Sequence, residues 1–173
     1  MRLLKAGGKV LKDADGVRAL RDIVAQAGKD VMLVVPAMEE AIDSLETMVD
    51  ALEKKQTQEA EQEWLKVMDM HVMLMLELGL QPNEDVRIPL MPSYEDDCSY
   101  AQNYHHIVGL AAIMSSQIVA VSLLKAGVGV EWWNAAQFLL TQTHDEKLRL
   151  DLVYSEQVIQ TGWDRSERKA VVV

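Results

Sequence analysis

The chain has 173 residues, with 17 Lys and Arg against 27 Asp and Glu, for a formal net charge of −10. At 49% hydrophobic and 25% charged it has the make-up of a folded chain that buries its own core, which excludes a disordered one and predicts a single domain over 1–173. The acidic balance excludes a general nucleic-acid backbone binder, and the lone Cys98 excludes an internal disulfide or a cysteine-built metal cluster, as expected of a cytoplasmic protein.

Arg2 to Ala6 is a short apolar-containing run stopped by Gly7-Gly8, the pattern of a strand entering a glycine turn. Asp13 or Asp15 caps a helix with Val17, Leu20, Ile23 and Val24 on one face, ended by Gly28. Val31 to Val35 is a continuous apolar run closed by Pro36, which predicts a strand buried on both faces. Strand, turn, helix and strand in this order open a parallel α/β sheet.

A long helical stretch follows, about Met38 to Leu80, with a polar break at Lys54 to Glu59 separating two helices. Ile42, Leu45, Met48, Val49 and Leu52 form the face of the first. Trp64, Leu65, Met68, Val72, Met73 and Leu76 mark the second, and its methionines read as core gap-fillers. Pro82 to Cys98 holds three prolines and acidic turns, so it is a loop. Ile107 to Leu124 runs 18 residues without a charge, the threshold length for a bilayer span. Its three serines and Gln117 favour instead a buried helix, about Tyr104 to Lys125, so no membrane partner is expected. Val128 to Phe138 predicts a strand containing Trp132 and Trp133, and Asp151 to Gln160 another helix. The last residues, Lys169 to Val173, read as a strand beginning with nothing after it.

Charge is unevenly spread. Residues 1–37 are net +3, 39–63 net −7 and 64–173 net −6, so the basic side chains gather near Lys5, Lys9 and Lys12 while the acidic block is a solvated helix face. His105 and His106 are adjacent and point apart on a helix, and His71 and His144 have no ligand-spaced neighbour, so no metal site is expected. Cys98 sits among acids that disfavour a thiolate nucleophile.

Lys5-Ala6-Gly7-Gly8 is the first candidate for chemistry. Glycines after a strand let backbone N–H groups approach an anion, and Lys5 and Lys9 add positive charge, although a plain tight turn has the same pattern. Three further segments stand in order behind it: Val34-Val35-Pro36-Ala37-Met38, Val108 to Ser116, and Glu131-Trp132-Trp133-Asn134-Ala135-Ala136 with Leu140-Thr141-Gln142. Together the four resemble the motifs of aspartokinases, members of the amino-acid kinase superfamily.

The resemblance implies a layered helix–sheet–helix α/β fold with a mostly parallel sheet, of the amino-acid kinase (carbamate kinase-like) type. The chain then corresponds to the N-terminal, amino-acid-binding half of a kinase domain, a truncated version of the fold. In the family the first motif meets the transferred phosphate, and Lys5, Gly7 and Gly8 match it while Lys9-Val10 replace a Thr-Ser pair. Polar substrate-side residues fall on Pro36, Ile42 and Ala112, and the aspartates of the last motif fall on Asn134 and Gln142. These changes remove the carboxylates and hydroxyls that an amino acid's ammonium and carboxylate groups need, and burying an unpaired ammonium is costly.

The first expectation is therefore an aspartokinase-like chain not competent alone to phosphorylate aspartate, binding no cofactor by itself and acting as a degenerate paralogue, fragment or association module. The alternative is an active amino-acid kinase that uses ATP and magnesium, with Lys5 and the Gly7-Gly8 turn on the phosphate. A third is an interaction protein completed by another chain. An unpaired terminal strand would invite such pairing, so a homo-oligomer or a completing partner is expected.

Overall fold

Four short parallel strands frame the molecule, and five helices pack around them. The computed structural model describes residues 2–28, 30–144, 147–166 and 170–172. The strands are β1 (Arg2–Lys5), β2 (Val31–Val34), β3 (Val130–Trp132) and, late in the chain, β6 (Ala170–Val172). They lie in the order β1-β2-β6-β3, with every neighbouring pair parallel. The mixed α/β architecture with a parallel sheet is as the sequence predicts.

β2 is central because nothing in it is polar. Val31 and Leu33 are fully buried and Met32 nearly so, and burying each such side chain is worth roughly 1.5–3 kcal/mol. The helix α1 (Ala14–Ala27) starts where Asp13 turns extended and its carboxylate accepts from the Gly16 N–H at 2.9 Å. Val17, Leu20 and Val24 bury one face, whereas Ile23, expected beside them, is exposed. Between β1 and α1 the chain forms a 3-10 turn, Gly8–Leu11, that drives Leu11 into the core.

The helical stretch divides as expected, with a tighter break. α2 (Glu39–Glu53) and α3 (Thr57–Glu77) are separated by three residues, among which Lys55 adopts a positive φ of 59°. Leu45, Met48 and Val49 are buried on α2. On α3 the core face is Trp64, Val67, His71, Leu74 and Met75; Leu65, Met73 and Leu76, predicted inside, face outward. The helix is apolar on more than one side, so periodicity alone could not choose the face.

α4 (Tyr100–Lys125) begins four residues earlier than predicted, because Ser99 and Gln102 form a reciprocal capping box. It is long and apolar enough to cross a bilayer, yet Ile107, Ala111, Ile118 and Leu123 are buried by the rest of the fold, which makes it a core helix. Beyond it, β3 is shorter than the predicted strand. The side chain of Asn134 accepts from the Ala136 N–H and turns the chain into a 3-10 segment, Ala135–Gln137, so Trp133 lies past the strand. An antiparallel hairpin that the sequence pattern does not signal follows, β4 (Thr141–His144) with β5 (Lys147–Leu150). α5 (Leu152–Arg165), capped by Asp151, runs five residues past the predicted end.

The terminal strand requires a correction. Val31 to Leu33 pair with Ala170 to Val172 on one side, and Val130 to Trp132 pair with the same three residues on the other. β6 is thus an interior strand with both edges satisfied, and the open edges of the sheet belong to β1 and β3. An apolar triplet with two β-branched valines suits an interior position. Lys169 and Val173, the ends of that predicted run, lie outside the described residues.

Candidate functional site

All four strands run the same way, so the segments after β1, β2 and β3 gather at one edge of the sheet. That edge is where open α/β sheets bind ligands. Two hollows are found there, of very different character.

The smaller has a volume of about 70 Å³ and is lined by Gly8, Lys9, Lys12, Met38, Glu39 and Glu40. Gly8 and Lys9, both singled out from the sequence, line it. Lys5, exposed at the end of β1, and Gly7 do not line it. Two glutamates share the hollow with two lysines, so its formal charge is balanced. Gly7 has ordinary extended geometry (φ −86°, ψ 152°), and a side chain there would meet nothing within 4 Å. At Gly8 a Cβ would be in ordinary contact with Glu39 Cγ at 3.6 Å. The fold itself therefore does not require glycine at either position.

The larger cavity measures about 680 Å³. One wall is a stripe of α4, His105, Gly109, Ala112 and Ser116, spaced by three and four so that all share a face. The floor is Met32 and Val34 of β2 with Val35 beyond it. The rest of the lining includes Trp132, Trp133 and Asn134 at the end of β3, together with Phe138 and Ile159. Trp133 and Phe138 stack, centroids 4.6 Å apart and planes 15° from parallel. Gly162 of α5 makes room for that stack: a Cβ on it would lie 2.9 Å from Trp133 Cη2.

Two of the positions singled out from the sequence, Ala112 and Asn134, thus meet in one cavity. The others do not join them. Pro36 is half-buried in the segment between β2 and α2, and Ile42 packs on α2 against the core. Gln142 is exposed on β4, where its Nε2 donates to Asp151 Oδ2 at 3.1 Å. Sequence reasoning missed the aromatic wall and the histidine mouth of the cavity. The signal that could have found them was the spacing of His105, Gly109, Ala112 and Ser116 on one helix face, together with the Trp132-Trp133 pair.

Polar groups near the cavity are mostly committed. Trp132 Nε1 donates to Ser116 Oγ at 3.0 Å, and the Ser116 hydroxyl donates to Ile113 O at 3.0 Å. Among the described residues, no Asp, Glu, Lys or Arg lines it. Further from the strand ends, Tyr100 donates to Asp50 at 2.7 Å, and Tyr104 to Glu46. The Asp50 carboxylate, by accepting that bond, pushes the Tyr100 phenol up to about 12. His71, on α3 and buried against α4, donates from Nδ1 to Val67 O (2.7 Å) and has Nε2 3.3 Å from the Ser115 hydroxyl, and burial lowers its pKa. Among the described residues, no three His, Cys, Asp or Glu side chains gather to hold a metal ion.

No protein-family model matches the chain, and no curated protein matches it by sequence. Solved structures do. E. coli aspartokinase III in complex with aspartate and ADP (R-state) superposes with a TM-score of 0.72 at 14% identity, covering 99% of this chain. The same enzyme in complex with lysine and aspartate (T-state) gives the same values. The chain has an aspartokinase-like fold. It spans about two-fifths of the length of those structures, 40% of each. The match supports the layered α/β architecture that the four motifs imply, and at this identity it speaks to fold alone.

Proposed function

We propose that the chain is an aspartokinase-like binding protein that does not, by itself, transfer phosphate from ATP to aspartate. One observation carries this reading: among the described residues, the large cavity at the strand ends is lined by Ala112, Asn134, aromatic rings and aliphatic side chains, with no Asp, Glu, Lys or Arg. Aspartate brings an ammonium and two carboxylates. Each would lose its water on entering and find no counter-charge, a cost of several kcal/mol per ion. The presence of Glu39 and Glu40 beside Lys9 and Lys12 in the neighbouring hollow, which balances its formal charge, is a second handicap for a transferred phosphate.

Under this reading ATP and magnesium are not ligands of the chain alone. They belong to the kinase alternative, in which Lys5 and the Gly7-Gly8 turn meet the phosphate. The chain acts in the cytoplasm through binding and association, as a homo-oligomer or with a completing chain at the open edges β1 and β3.

The test is a calorimetric titration with aspartate and with ATP–magnesium, run beside a phosphotransfer assay. Neither ligand should bind saturably and no acyl phosphate should form. Saturable binding of both, with turnover that Lys5→Ala abolishes, would replace this reading with the kinase. Light scattering at micromolar concentration tests association, and a monomer there would remove that part.

A further inference from the structure

We infer that the large cavity binds an uncharged, flat aromatic molecule carrying a hydrogen-bonding group. This rests on the reading of the cavity as a binding site and names the class of ligand it takes. Size is the first support. At about 680 Å³ it lies within the roughly 300–1,000 Å³ of small-molecule sites. The space is opened by small residues of α4: a Cβ on Gly109 would meet nothing within 4 Å, and Ala112 contributes only a methyl.

Charge is the second. The chain carries −10 overall, yet among the described residues no Asp, Glu, Lys or Arg lines this cavity, so a charged ligand would be desolvated without compensation from them while a neutral one would not. Shape is the third. Trp133 and Phe138 already lie in a near-parallel stack, with Trp132 beside them, and a planar ring gains from such a wall what an aliphatic chain does not.

The polar groups decide the remaining feature. Trp132 Nε1 and the Ser116 hydroxyl are occupied by each other and by Ile113 O. Asn134 Oδ1 accepts from the Ala136 N–H, which leaves the Asn134 amide NH₂ to meet a ligand oxygen or ring nitrogen. His105 and His106, exposed at the mouth, offer ring nitrogens to the same end of the molecule or to water.

The experiment titrates the full chain with N-phenyl-1-naphthylamine, a neutral aromatic whose fluorescence rises in apolar surroundings. Saturable binding at one site per chain is expected, unaffected by millimolar aspartate. Ala112→Glu should weaken it by about tenfold or more, since it buries a carboxylate without a partner. Gly109→Leu, which fills the space without charge, should do the same, and circular dichroism of both variants reports whether they fold. Leu90→Ser, at a site 90% exposed and outside the cavity, should bind like the parent. Unsaturable binding, binding untouched by both cavity variants, or displacement by aspartate would overturn the inference. The two readings fail separately: phosphotransfer to aspartate sinks the non-kinase reading, whereas absent probe binding without phosphotransfer sinks only the ligand class.

Discussion

Gly16 and Gly7 stand close together in the N-terminal segment, and the structure predicts opposite outcomes for the same change. An ideal Cβ on Gly16 would lie 2.1 Å from Val10 O and 2.9 Å from Val10 C, both backbone atoms that no rotamer change can move aside. Carbon–oxygen contacts settle at about 3.3 Å or more, so the 3-10 turn and α1 must separate by about 1 Å. That separation disturbs Leu11 and Val17, both almost fully buried, and pulls on the bond from the Gly16 N–H to Asp13. Loss of a helix cap costs about 1 kcal/mol, and overpacking costs about 1–3 kcal/mol. Alanine's helix advantage over glycine, about 1 kcal/mol, offsets part of this, leaving Gly16→Ala destabilised by about 1–3 kcal/mol. Gly7→Ala meets no atom within 4 Å in a conformation open to any residue, so it should be neutral or gain about 0.4–1 kcal/mol. Urea unfolding followed by circular dichroism measures both. A Gly16→Ala midpoint at or above the parent's, with an unchanged slope, would refute the close approach of turn and helix.

Two further outcomes follow from the core. Burial lowers the pKa of His71 below 6.5, so the unfolded chain takes up its proton first and stability should fall as pH drops through 6.5; His71→Gln should lose one proton's worth of that slope, and identical slopes would refute the assignment. Gly162→Ala places a methyl 2.9 Å from Trp133 Cη2 and 3.4 Å from Phe138 Cε1, so the ring stack must shift, with an expected loss of about 1–2 kcal/mol and a changed tryptophan emission; an unaltered spectrum and midpoint would show that the stack yields freely.

Much of the fold was legible because its determinants are local. The unbroken apolar run of β2, the Asp13 cap and the glycine stops at Gly28, Gly79 and Gly127 (φ 75°, 72° and 79°) each state their element in a few residues. What pattern could not decide was placement. Ala170 to Val172 reads as a strand from composition, but whether it lies at an edge or between β2 and β3 depends on partners more than a hundred residues away for β2. The outward faces of Leu65, Met73 and Leu76 were hidden for a related reason: α3 carries apolar residues on several sides, and only packing against α2 and α4 selects one. The hairpin of β4 and β5 escaped because Thr141 to His144 offers no hydrophobic alternation. For the site, motif comparison located Ala112 and Asn134 but treated them singly, and their shared cavity exists only in three dimensions.

That difference bears on how the substitutions are understood. Read one at a time, Ala112 and Asn134 are losses of polar chemistry. Read together with Trp132, Trp133 and Phe138, they form a coherent apolar surface around an open volume. A site decaying without constraint would leave stray charges and buried polar atoms without partners, since each such change is tolerated independently once function is gone. Among the described residues no buried side-chain nitrogen or oxygen lacks a hydrogen-bond partner, and the indole of Trp132 is matched to Ser116 across the cavity wall. The aspartokinase-like fold, a cavity at its strand ends that no described Asp, Glu, Lys or Arg lines, and buried polar atoms that all have partners therefore fit the proposed site remade for a different ligand better than one abandoned.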